Sequence, residues 1–131
     1  MNKLSLALAA TTAAIAISAP AHAADVYHLL GPVMADPSVE DIEERCAFYL
    51  EQIDLRRDAM IGDAADPTIE NTLGRFDDIV ALNQGATGEM SLYQQVLGTD
   101  ETRSAGGACT VQLASQFSEI NLSRPIYERL S

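Results

Sequence analysis

The stretch TDETRSAGGACTVQLASQFSEINLSRPIYERL, residues 99–130, fixes the fold class, and the rest of the chain supplies the surfaces it packs against. Its apolar residues Ala105, Cys109, Leu113, Phe117 and Ile120 recur every three or four positions, which places them on one stripe of a helix. A half-buried strand would alternate apolar and polar residues, and this stretch does not. Thr99 is the natural N-cap, followed by Asp100 and Glu101 in the first turn, where carboxylates favour the positive end of the helix dipole. Pro125 ends that helix by Arg124, since it lacks an amide donor and disfavours helical geometry in the residue before it. A further helix is expected to begin near Ser123.

Outward from this stretch, the first residues of the 131-residue chain form a separate unit. Met1-Asn2-Lys3 is a positively charged start, Leu4 to Ile17 is apolar apart from small hydroxyl residues, and Ala21-His22-Ala23 is a small-x-small cleavage site. That is the pattern of a secretory signal peptide over 1–23, and the run is short for a membrane span. Export to the periplasm, with no membrane anchor after cleavage, is the expected localisation. Cleavage would remove the only lysine, Lys3, from a chain whose formal net charge is −11. So acidic a surface repels phosphate backbones, which argues against nucleic acid as a partner. A solvated, soluble surface accounts for the charge with less.

Residues 24–37, with Pro32 and Pro37, are read as an extended leader. A first helix follows over Ser38–Gly62, opened by Ser38 with Asp41 in a capping-box arrangement. Val39, Ile42, Cys46, Tyr49, Ile53 and Met60 form its inner stripe, widened by Ala47 and Leu50. Asp66-Pro67 is the expected start of the second helix, an Asp N-cap followed by proline at the first helical position. Its inner face is read as Ile69, Leu73, Phe76, Val80 and Asn83. Gly85 and Gly88 each cost a helix about 1 kcal/mol relative to alanine, so the helix either breaks there or kinks and continues to Leu97. The expected fold is all-α: an antiparallel bundle of about three long helices plus the start of a fourth. Residues 38–131 form one helical segment. It ends a few residues into its last helix, with Ile126, Tyr127 and Leu130 short of partners. The expectation is the front of something longer, truncated or naturally shortened.

The chemical inventory is thin. His28 is the one histidine after the signal and fits a solvated side chain better than the base of a catalytic triad. There is no HExxH for a helical zinc site, no ExxH pair for a di-iron bundle and no CxxCH for haem. Asp77-Asp78 and the set Asp58, Asp63 and Asp66 lack the glycine and bidentate glutamate of an EF-hand loop, and fit surface charge or capping. Cys46 and Cys109 are the more specific pair. Each lies about two turns into its helix on the inward stripe, and in an up-down-up order the first and third helices run parallel. A disulfide between them suits an oxidising compartment, and a pair of small buried hydrophobes is the alternative.

Three stretches in order carry a family resemblance. These are SVEDIEERCAFYLEQID, PTIENTLGRFDDI and SLYQQVLGTDETRSAGGACTVQLASQFSEINLSRPIYERL. Together, from Ser38 to Leu130, they resemble the N-terminal helical region of the thimet oligopeptidase and neurolysin family, zinc metallopeptidases that cleave short peptides. The resemblance implies an almost wholly helical protein with a deep channel between two halves, these helices forming part of its wall. It also implies zinc, held by an HExxH helix and a later glutamate that this sequence does not contain. No catalytic or metal residue can therefore be carried onto any position here. The chain is expected to be the non-catalytic channel-wall segment of an exported oligopeptidase, partnered by a C-terminal catalytic portion that acts on short peptides. The alternative is a free-standing periplasmic helical binding protein whose apolar stripes a partner completes.

Overall fold

The computed structural model describes Val26 and residues 28–131, and the signal peptide expected over 1–23 lies outside the described residues. Every regular element among them is helical: α1 (Val39–Ile61), α2 (Arg75–Gln95), α3 (Asp100–Asn121) and α4 (Arg124–Leu130), with a single π turn at Glu70–Gly74 leading into α2. No described helix is long and apolar enough to cross a membrane.

The directions of the helices follow from which ends meet. Arg75 at the start of α2 donates to the carbonyl of Ala59 near the end of α1, while Arg45 early in α1 reaches Glu89 late in α2. These two helices are therefore antiparallel. Asn83 donates to the Leu113 carbonyl, and Gly106 lies against Met90 and Tyr93, so α3 runs antiparallel to α2 and parallel to α1. All three pack on one another around a single core that includes Ile42, Tyr49, Ile53, Ile79, Leu82, Met90, Tyr93, Leu113 and Ile120.

Local signals set the helix starts. At α1 the Ser38 hydroxyl accepts the Asp41 amide and the Asp41 carboxylate accepts the Ser38 amide, a reciprocal capping box. Those bonds hold the Asp41 carboxyl below its usual range. At α3 the Thr99 side chain accepts the Thr102 amide, and Gly98 precedes it at φ +88°, a left-handed turn that glycine adopts without steric cost. Between Gly85 and Gly88 the helix runs on unbroken, because both residues sit in a helix already held on two sides by tertiary packing.

Five expectations need correction. The second helix does not begin at Asp66-Pro67: Thr68 and Asn71 cap each other instead, and the π turn follows. The inner stripe is also a different one: Thr72, Ile79, Ala86 and Tyr93, seven residues apart, face the core together with Leu82, while Ile69 and Leu73 point outward, 72% and 51% exposed, and Phe76 and Val80 at the edge of that stripe are only half-buried. In α1, Ala47 is exposed rather than part of the inner stripe. The leader is not extended throughout, since Val26, His28 and Leu29 are helical and Val26 is buried in the core. At the other end Ile126 is buried, and Arg129 donates to the Ala65 carbonyl, so α4 docks on the loop between α1 and α2.

The α2–α3 contact depends on one missing side chain. A Cβ on Gly106 would lie 2.9 Å from the Met90 carbonyl oxygen and 3.1 Å from the Gln94 amide nitrogen, both backbone atoms that cannot step aside. Gly106→Ala therefore exchanges a helix-propensity gain of about 1 kcal/mol for an overpacking cost of about 1–3 kcal/mol. Urea denaturation should show a net loss of up to about 2 kcal/mol by the same comparison. Gly88→Ala is the control, because a Cβ there meets nothing within 4 Å and only the propensity gain remains. A Gly106 variant as stable as the Gly88 variant would refute the close-approach reading.

Candidate functional site

A buried polar cluster occupies the α1–α2 interface at its leader end. Glu89 is 6% exposed and lies on the inward stripe of α2, three residues after Ala86 and four before Tyr93. Its carboxylate accepts the Tyr93 hydroxyl at 2.6 Å, the Tyr49 hydroxyl, and Arg45 Nε at 3.2 Å. The Arg45 guanidinium also packs over the Tyr49 ring, 5.6 Å from its centroid. A buried carboxylate is tolerable only when paired and hydrogen-bonded, and here an arginine and two hydroxyls do both. With both oxygens occupied, Glu89 is a clamp rather than a free base.

The cluster reaches beyond the bundle to the leader. Arg45 Nη2 donates to the Pro32 carbonyl at 3.1 Å, and the Met34 amide donates to the Tyr93 hydroxyl at 3.0 Å. Leu30 fills the space over Gly85, where a Cβ would come within 2.4 Å of its Cδ1. The leader is thus read by two side chains that Glu89 fixes in place.

Burial and the Glu89 hydrogen bond push the Tyr93 hydroxyl up to about 12, and the same two causes raise Tyr49 further. An acid whose pKa is raised on folding leaves stability intact below its unfolded pKa, near 10 for tyrosine, and removes it as pH rises from there through the folded value. The unfolded chain loses these protons first, so it binds fewer than the native state and the slope is negative. Stability should hold to about pH 9.5 and then fall by up to about 1.4 kcal/mol per pH unit for each tyrosine. Denaturant midpoints between pH 8 and 12, with tyrosinate absorbance followed in parallel, check this. Ionisation of both buried tyrosines before unfolding would contradict it.

Cys46 and Cys109 are joined as a disulfide between α1 and α3, with Cα atoms 5.8 Å apart. Above it lies a groove of about 310 Å³ lined by Glu43, Ala47, Leu50, Ala105, Ala108 and Gln112. Glu43 is the one ionisable side chain in that lining, which brings together no catalytic set. The acidic residues considered as calcium ligands do not converge either. Asp77 is exposed, Asp58 pairs with Arg57, and Asp63 faces Arg75 at 3.1 Å and Arg129 at 3.7 Å. His28 is exposed. Among the described residues no group of three His, Cys, Asp or Glu side chains is placed to hold a metal ion. The described residues offer no ligand set for the zinc that the peptidase resemblance implies.

The fold and site define an all-α, disulfide-braced bundle built around a buried arginine–glutamate–tyrosine clamp. Comparison with family models, with curated proteins and with solved structures finds no match. The sequence reading singled out Tyr49 as core but missed Glu89, Arg45 and the role of Tyr93. One signal was present: Glu89 lies seven residues after Leu82, three after Ala86 and four before Tyr93, on the apolar side of α2.

Proposed function

We propose that this chain is a non-catalytic helical wall segment of an exported zinc oligopeptidase that acts on short peptides. Its task is to pack against a catalytic portion and narrow the access route. One observation carries the reading. Ile69 and Leu73 lie within PTIENTLGRFDDI, one of the three stretches behind the resemblance, and both are aliphatic side chains directed to solvent. Adjacent aliphatic side chains on one helical turn are surface that a partner would cover. Zinc would be held by that catalytic portion and would supply Lewis-acid chemistry for peptide hydrolysis.

The test begins with the source DNA, read in frame beyond the Ser131 codon and through the neighbouring genes for an HExxH-encoding helix. Absence of such a helix from both overturns the proposal. If it is found, the two portions are produced together and assayed on a quenched fluorescent peptide. The chain alone should be inactive with zinc, and the assembly active. Ile69→Glu with Leu73→Glu should leave the isolated chain folded, because both residues are on its surface, and reduce assembly at least tenfold. An unaffected assembly would count against this surface as the contact.

A further inference from the structure

We propose that the cleft between α1 and α2 is a peptide-binding site, held in the folded chain by its own residues 28–34. It would take in trans an extended segment of the same chemistry, an aliphatic residue followed by glycine and proline. The case rests on how the leader is gripped. Residues 31–34 form no helix or strand, so their backbone groups lack regular partners. Two of these groups, the Pro32 carbonyl and the Met34 amide, are instead met by Arg45 and Tyr93. Backbone atoms exist in every peptide, and side chains that recognise them accept any segment with the right shape.

The recognising groups are tied to the bundle on their far side: Glu89 of α2 accepts hydrogen bonds from both Arg45 and Tyr93. A cleft whose polar groups are set beforehand loses little ordering entropy when a peptide enters. Its selectivity comes from two close approaches. Gly85 has no side chain, and Leu30 occupies the resulting hollow. Gly31 passes so near Arg45 that a Cβ there would lie 2.9 Å from Nη2, and a larger residue would have to push aside the guanidinium that reaches the Pro32 carbonyl. An exposed bend at Ala35-Asp36 connects this segment to α1, so the seated peptide is joined to the bundle through solvent-facing residues.

The experiment uses the whole chain with a protease recognition sequence inserted between Ala35 and Asp36, cut after folding. A fluorescent peptide of residues 24–35 is then added and its anisotropy followed. We expect the helical circular dichroism to survive cutting and the labelled peptide to bind saturably, in competition with unlabelled peptide. Leu30→Ala or Gly31→Val in the peptide should weaken binding at least tenfold. Gly85→Val in the protein should do the same for the unaltered peptide, and the Leu30→Ala peptide should recover part of that loss by giving back the space. Loss of helicity on cutting would overturn the proposal, since the leader would then be core rather than ligand. So would non-saturable binding, or binding indifferent to both peptide substitutions, neither of which depends on a variant protein folding.

Discussion

Glu89→Ala should cost the fold about 3–5 kcal/mol, the range for removing one partner of a buried ion pair. The cause is what stays behind. Arg45 keeps its charge beside a low-dielectric interface, and the hydroxyls of Tyr49 and Tyr93, both fully buried, lose their acceptor. Domains of this size are stable by only about 5–15 kcal/mol in all, so the variant should be partly unfolded at ordinary temperature. Glu89→Gln separates charge from hydrogen bonding. Its carbonyl still accepts one hydroxyl while its amide faces the other donors, and a loss of about 1–3 kcal/mol is expected. Tyr49→Phe, which removes one donor and leaves the ion pair, should fall in the lower part of that range. Urea melts of the three variants measure the order. A Glu89→Ala protein within 1 kcal/mol of the parent would show that the cluster is not what holds α1 to α2.

Reduction of the disulfide should bring a loss of similar size by a different route. The bond closes a loop of sequence separation 63, and the chain-entropy account assigns it about 4 kcal/mol, acting through the unfolded state. The freed thiols should stay packed as small apolar groups, since Cys46 and Cys109 are 5% and 2% exposed. The native helices should therefore persist under reducing conditions while the urea midpoint drops. Cys46→Ala with Cys109→Ala should reproduce the effect without reductant. Equal midpoints for oxidised and reduced protein would mean that packing already fixes α1 against α3. Because Glu89 holds α1 to α2 and the disulfide holds α1 to α3, the two losses should be close to additive.

Much of this architecture is legible in local sequence because the signals involved are local. The Ser38–Asp41 capping box, Thr99 as N-cap, and the stripe of Cys109, Leu113 and Ile120 depend on residues within a turn or two of one another. Helix phase and chain direction bring Cys46 and Cys109 to similar height, and the structure joins them. The misassignments arise where a distant neighbour decides. Ile69, Leu73, Phe76 and Val80 form one apolar stripe and Ile79, Leu82, Ala86 and Tyr93 another, and the helices packed on α2 decide which of the two is buried. The unbroken helix through Gly85 and Gly88 reflects packing that outweighs propensity.

Helical fold class, the starts of α1 and α3 and the inward stripes of those two helices can be read from local sequence alone. These properties follow from side-chain period and capping, which one segment carries alone. The clamp, by contrast, exists only once the helices have packed. Arg45, Tyr49 and Glu89 are separated by up to 44 positions, and their meeting depends on the antiparallel register of α1 against α2. The leader's place in the cleft was settled in the same way. A carboxylate becomes a structural clamp only when burial denies it water and the fold brings it donors, and neither condition is written in the residues around it.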